Sequence, residues 1–256
     1  MLQIDSLYLE PRLIIFDKDG TLIAFERMWR VWFERLMEHI GEQIRLDLQT
    51  RLALAGTLGY DPVDGDWDPL GPLTIASTGE ILLLIAGQIY HHVGLTWDDA
   101  LAIVNEAERV SRAMLSDSDL VEPIGDVQKT LQHLAKAGYL LAIATTDNRE
   151  PTERHLEMLG VAELFGAILC GDDGIPLKPA PDMALEICRQ LGVPVEEAIM
   201  VGDSVADMTM ARTAGLTGAI AVSSGAIPAE LLAEHADCVI ADLHAIEILD
   251  EAPVDA

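Results

Sequence analysis

A small set of polar residues in this chain has the types and spacing for chemistry: Asp17 and Asp19, Thr145, Lys178, and Asp203 with Asp207. Asp17 and Asp19 stand two positions apart directly after the apolar run Leu13-Ile14-Ile15-Phe16, and Gly20-Thr21 follows them. Four carboxylates around one crevice would repel one another at a high cost unless a cation lay among them. An oxygen-rich cluster of this kind suits Mg²⁺, which takes one or two carboxylates together with substrate phosphate. Lys178 adds a fixed positive charge and Thr145 a hydroxyl donor. The plainer reading is a set of ordinary polar strand ends, since strand ends face water and must be polar somewhere. The residue types favour the chemical reading.

The elements that must position these groups can be read from the pattern around them. An apolar run without polar alternation reads as a strand buried on both faces, as in a parallel sheet. Further short strands are expected over residues 139–145, 167–170, 198–201, 218–222 and 238–240. They alternate with expected helices over 124–136, 151–159, 181–191, 205–214 and 228–235. That alternation predicts an α/β domain with a parallel sheet and helices on both faces. Each candidate group then falls at the carboxyl end of a strand, or in a loop following one, where such sheets bind ligands. Residues from about 25 to 115 read as all-helical instead. There a helix over 26–40 continues through 42–58, and a loop rich in Gly, Pro and Asp covers 59–72. A helix capped by Ser77 or Thr78 follows, with Glu80 near the capping-box position, and another starts at Thr96-Trp97. The chain therefore divides into an α/β core of residues 1–24 and 117–256 and an inserted helical domain of residues 25–116.

Composition excludes several partner classes. The formal net charge is −27, from 43 acids against 16 bases, which argues against nucleic acid or an anionic membrane as a partner. The same field means that an anionic substrate would need local cations or a metal. Cys170, Cys188 and Cys238 form no metal-ligand spacing and leave one unpaired, so reduced thiols in a cytoplasmic protein are expected. The first residues lack a basic-then-apolar signal pattern, and the apolar run over 81–87 is too short to span a bilayer. Oligomeric state stays open, and the large apolar fraction is compatible with a dimer.

Four motifs in order resemble the haloacid dehalogenase-like hydrolase superfamily on its phosphatase side. They are Phe16-Asp17-Lys18-Asp19-Gly20-Thr21, Ile143-Ala144-Thr145, Lys178-Pro179-Ala180-Pro181-Asp182, and Val201-Gly202-Asp203-Ser204-Val205-Ala206-Asp207. The resemblance covers the whole α/β portion, and its pattern is most similar to phosphoglycolate phosphatases. It implies a Rossmann-like core and a Mg²⁺-dependent hydrolysis of a small phosphorylated metabolite through an aspartyl-phosphate. Asp17 would be the nucleophile and Asp19 the proton donor and acceptor. Thr145, Thr146 and Lys178 would bind the phosphoryl oxygens. Mg²⁺ would be held by Asp17, the backbone carbonyl of Asp19, and Asp203. Gly20 and Thr21 would turn the chain, and Asp207 would support the metal shell or orient Lys178.

Asp19 discriminates further, because dehalogenases of this superfamily lack that acid. The Asp17-Lys18 start is similar to that of P-type ATPases, but those carry Thr at the position of Asp19 and need membrane helices. The helical insertion resembles the superfamily's helical cap, with hinges expected over residues 22–25 and 116–120. Many related phosphatases carry an acid shortly after D-G-T-L, where this chain has Ala24 and Phe25. Arg27 and Arg30 read as a solvated helix face, and Thr74, Ser77 and Thr78 as helix caps as readily as site residues. Arg149 reads as a surface arginine near a helix start, with a phosphate contact as the alternative. His91 and His92 read as helix-end residues, and Trp29, Trp32 and Trp97 as packing. Two other functions stay open: a phosphomutase, and a catalytically idle binding or regulatory protein on the same scaffold.

Overall fold

The structure is a computed structural model that describes residues 1–114 and 120–249. Two three-residue strands, β1 (Leu2–Ile4) and β2 (Leu7–Leu9), precede the central strand β3 (Leu13–Phe16). The chain separates into two compact units, Met1–Phe25 with Val121–Ala256, and Glu26–Leu120.

The second unit is built from helices: α1 (Phe25–Gln43), α2 (Leu48–Thr57), α3 (Pro72–Ile75), α4 (Thr78–Val93) and α5 (Trp97–Met114). The helix expected to run through 42–58 is interrupted. Asp47 has an extended backbone and its side chain accepts from Thr50 N at 2.8 Å, so it caps a new helix in place of prolonging the old one. Ser77 caps α4, and Ser77 with Glu80 forms a full capping box. Trp29 and Trp32 are buried and meet edge to face at 5.2 Å. Trp97, expected in packing, is 42% exposed because it sits at the first position of α5.

In the α/β unit, all of β3 is buried. It is joined by β4 (Leu140–Ala144), β5 (Phe165–Leu169), β6 (Ala198–Gly202), β7 (Gly218–Val222) and β8 (Cys238–Ile240). They form a six-stranded parallel sheet in the order β5-β4-β3-β6-β7-β8. The chain builds outward from β3 through β4 and β5, then resumes on the other side with β6. Strand order reverses at β3, and the crevice beyond its carboxyl end is where such sheets take ligands. Phe16 pairs with Ile143 on one side and Val201 on the other, so the residues that follow these three strands emerge side by side.

The connecting helices are α6 (Val127–Lys136), α7 (Arg149–Met158), α8 (Asp182–Leu191), α9 (Val205–Ala214) and α10 (Ala229–Ala233). Ile14 and Phe16 pack with Leu131 and Leu156 on one face, and Leu13 and Ile15 with Met183, Ile187 and Met208 on the other. Alternate residues of one strand thus feed opposite apolar layers, which is why the run shows no polar alternation. Several boundaries shift from expectation: α6 starts after the Asp126 cap, α7 already at Arg149 and β5 already at Phe165, and α10 ends at Ala233.

A second, smaller sheet leaves no mark in the sequence pattern. β1, β2 and the late strand β9 (Ile246–Ile248) make a separate antiparallel sheet in the order β2-β1-β9. Three-residue strands are too short to show a period. Near the expected first hinge, Ala24 N donates to Glu122 O at 2.8 Å and Ile124 N to Leu22 O at 3.0 Å, so the two chain crossings are tied together. Most of the expected second hinge, with the 116/117 boundary, lies outside the described residues. No helix among the described residues is long and apolar enough to cross a membrane.

Cys170 and Cys188 are buried and Cys238 is partly so, and burial pushes the Cys170 thiol up to about 12 and Cys238 to about 11. Thiolate is the reactive form. A chromogenic disulfide reagent at pH 8 is therefore expected to react with the native protein far more slowly than with the guanidinium-unfolded chain, which should release three equivalents from its three cysteines. Rapid native labelling of Cys170 would contradict this packing.

Candidate active site

Asp17 leaves the end of β3 with its backbone N–H donating to Val201 O at 2.9 Å. Its Oδ1 accepts from Lys178 Nζ at 2.8 Å, and the same ammonium reaches Asp207 Oδ1 at 2.7 Å. Lys178 belongs to the loop between β5 and α8, and its peptide bond to Pro179 is cis. Asp207 lies in the first turn of α9, where Ser204 is the N-cap. Asp207 Oδ2 accepts from Ser204 N at 3.1 Å and from Ser204 Oγ at 2.6 Å, while Asp207 N donates back to Ser204 Oγ at 3.2 Å. A capping box therefore fixes one oxygen of Asp207 and Lys178 the other. Asp203 completes the group, since carboxylate oxygens of Asp17, Asp203 and Asp207 all lie within 4.8 Å of one another.

All three acids are buried. Burial pushes the Asp203 carboxyl well above the usual range, and the charges of Asp17 and Asp207 push it further the same way. Asp207 is also raised, by burial, with Lys178 pulling against it. For Lys178, burial disfavours the ammonium, but Asp17 and Asp207 outweigh it and the pKa rises. Three carboxylates facing one lysine leave excess negative charge on hard oxygen donors, a set that suits a divalent cation. Among the described residues this is the one cluster of potential metal ligands.

Asp19 is separate from that cluster. Both its oxygens lie 2.7 Å from Lys18 Nζ. Burial raises Asp19 to about 6, with Lys18 opposing and Asp147 adding to the shift, so its carboxyl can hold a proton close to neutrality. Gly20 turns the chain at φ +84°, and Thr21 is buried with its hydroxyl oxygen lacking a hydrogen-bond partner. Thr145 follows β4; its backbone N–H donates to Leu169 O at 3.0 Å and its Oγ1 accepts from Asp147 N at 3.1 Å. Thr146 beside it is half-buried.

Other candidates are engaged elsewhere. Arg149 pairs with Asp173 at 2.6 Å and Glu153 at 3.1 Å and donates to Ile168 O, which gives it a structural role. Arg27 is exposed and Arg30 donates to Gly65 O at 3.1 Å. Thr74 donates to Asp68 O at 2.8 Å, Ser77 caps α4, and Thr78 is buried. His91 and His92 occupy the last turn of α4.

The chain matches the model of the haloacid dehalogenase-like hydrolases over residues 11–215. A putative pyrophosphatase PpaX from Caldanaerobacter subterraneus subsp. tengcongensis is 36% identical over 90% of this chain and 90% of its own length. The chain belongs to the haloacid dehalogenase-like hydrolases. It is also 38% identical to the pyrophosphatase PpaX of Halalkalibacterium halodurans over 101 residues, which are 40% of this chain and 47% of that protein. The chain thus matches about half the length of that relative. A crystal structure described as a predicted phosphoglycolate phosphatase from Haemophilus somnus 129pt shares the fold, with a TM-score of 0.70 at 19% identity over 91% of this chain and 95% of its own.

Two parts of the hydrolase's site were not read from the sequence. Lys18 is fully buried and contacts Asp147 and His155 as well as Asp19. The loop after β7 closes the other side: Ser224 Oγ donates to Gly20 O at 2.7 Å, and a Cβ on Gly20 or Gly225 would overlap the Asp203 carboxylate. Only hydrogen fits at those positions. Gly225→Ala is therefore expected to lower unfolding stability by about 1–3 kcal/mol, the usual cost of overpacking. Gly87→Ala, in the middle of α4 with open space around it, is expected to gain about 0.5–1 kcal/mol. Denaturant melts of both variants check the pair, and an unchanged Gly225→Ala midpoint would contradict the close packing on Asp203.

Proposed function

We propose that this hydrolase is a Mg²⁺-dependent phosphatase that acts on a small phosphorylated metabolite through an aspartyl-phosphate. The observation that carries the reading is the Asp17–Lys178–Asp207 ion triad beside Asp203, with Lys178 at 2.8 and 2.7 Å from its partners. The family and the retention of Asp19, an acid that halide departure does not need, support phosphoryl chemistry.

In this reading an Asp17 carboxylate oxygen attacks phosphorus and the bond to the leaving oxygen breaks. Asp19 gives its proton to that oxygen, then as carboxylate takes a proton from the water that attacks the aspartyl-phosphate. The Asp17–phosphorus link breaks in that second step and phosphate departs. Lys178 and the Thr145 and Thr146 hydroxyls, with nearby backbone N–H groups, bind the phosphoryl oxygens. Mg²⁺ would be held by Asp17, Asp203 and the backbone carbonyl of Asp19. Bound there, it would offset charge on the transferring phosphoryl. Asp207 orients Lys178 in this scheme, because one of its oxygens holds Lys178 and the other is occupied by Ser204. The helical unit would serve as the cap that excludes water and reads the leaving group.

Pyrophosphate is a second substrate reading, favoured by the 36% identity to a putative pyrophosphatase PpaX over 90% of both chains. Phosphate would then be the leaving group, and the same residues would serve.

A phosphate-release panel that includes 2-phosphoglycolate, pyrophosphate and 4-nitrophenyl phosphate tests both readings. Turnover is expected with Mg²⁺, lost with EDTA and restored by added Mg²⁺. Absence of turnover on every compound would favour an idle binding protein, and activation by a sugar bisphosphate with little phosphate released would favour a mutase.

Asp17→Asn is expected to reduce turnover by about 10³-fold or more with thermal unfolding nearly unchanged. Asp19→Asn should lower kcat by about 10²- to 10⁴-fold while KM moves far less. Substantial turnover in the Asp17 variant would remove it as the nucleophile.

A further inference from the structure

Lys18 sits between the two acids of the opening motif, yet its ammonium is fully buried and cannot touch a substrate. Its surroundings account for all three N–H donors. Both Asp19 oxygens lie at 2.7 Å, Asp147 Oδ2 at 3.1 Å, and His155 Nδ1 at 3.3 Å. His155 Nδ1 can accept from the ammonium in the tautomer that carries its proton on Nε2. Asp147 is fixed in turn, since its Oδ1 accepts from Asn148 N at 2.8 Å and its N–H donates to Thr145 Oγ1 at 3.1 Å. His155 projects from α7, whose core residue Leu156 belongs to the apolar layer under β3.

We infer that Lys18, anchored by Asp147 and His155, is a positioning residue that fixes the Asp19 carboxyl for proton transfer to the leaving oxygen. The inference rests on the proton-transfer role given to Asp19 above. An ammonium equidistant from both oxygens sets the plane of the carboxyl as well as its place. Asp19 sits next to Gly20 in a turn and would otherwise be free to rotate about two torsions. Through Asp147, the same ammonium ties Asp19 to the loop carrying Thr145, so the acid and the phosphate-binding hydroxyl keep a fixed relation.

The test uses kcat/KM, which reports steps only through departure of the leaving group. The double variant Lys18→Met/Asp147→Asn removes one buried charge of each sign and leaves Asp19 as the one acid of the group. With 4-nitrophenyl phosphate, whose leaving group departs without a proton, its kcat/KM should fall less than about threefold. With an alkyl phosphate it should fall about 10²-fold, as when general-acid assistance is lost. Lys18→Arg keeps the charge but cannot seat a guanidinium in the same slot; it should show the same bias at about tenfold. It replaces the double variant if circular dichroism shows that one unfolded. Equal losses on the two substrates, or no loss, would overturn the inference, because a merely structural ion pair has no reason to distinguish leaving groups. Asp19→Asn runs alongside. If it shows the bias and the Lys18 variants do not, only the inference fails; if it shows none, the proton-transfer reading of Asp19 fails and the inference falls with it.

Discussion

The Lys178 ammonium between Asp17 and Asp207 is the contact on which the site end of the α/β unit depends. It joins the loop after β5 to the end of β3 and to the first turn of α9, across 161 and 29 positions of sequence. Desolvating these charges is costly, and the pair contacts repay that cost only while the geometry holds. Loss of the lysine would leave buried carboxylates uncompensated, at about 3–5 kcal/mol for a broken buried pair. The apolar layers on both faces of the sheet therefore have a second task besides stability. They hold three strand ends in register tightly enough for buried charges to stay paired.

Even with Lys178 in place, the balance near β3 is negative. Asp17 and Asp207 share one lysine with Asp203 beside them, and Asp19 and Asp147 share another. The whole chain carries −27. Such a field opposes the approach of a phosphate ester, and salt screens it only beyond about 8–10 Å. Attraction of the proposed substrate must then arise at short range, from Lys178, from N–H groups at the strand ends and from the proposed divalent cation. The charge balance is thus a physical argument for the proposed metal dependence that is independent of family membership.

The sheet and the four motifs were legible because each is written locally: an apolar run, then a polar group of a particular type. Thr145, Lys178 and Asp203 could be placed on strand ends or in loops, and Asp207 at a helix start, without knowing which strands touch. Lys18 was not legible, for a reason of the same kind. It stands at the bend after β3 between two site acids, and its partner His155 is 137 positions away. Nothing local marks such a residue. The same holds for β1 and β9, where three residues give no period and the partners come from opposite ends of the chain. Asp47 was a different case, since a capping residue within a helical pattern reads as either an interruption or a tolerated polar position, and the backbone chose interruption.

The loop after β7 also shapes the site. It brings Gly225 against the Asp203 carboxylate and Ser224 against the carbonyl of Gly20. Gly20 presses on Asp203 from the β3 side, and Gly202 lies so close to Asp207 that a Cβ there would overlap its carboxyl. These glycines leave no room for the acids to turn away from one another, although mutual repulsion favours that. Their contribution is to exclude conformations, which requires having no side chain, so no chemical motif announces it. The carboxylates are kept close by steric confinement from two loops and the end of β6, and the excess charge is thereby concentrated where the proposed cation and phosphoryl group would bind.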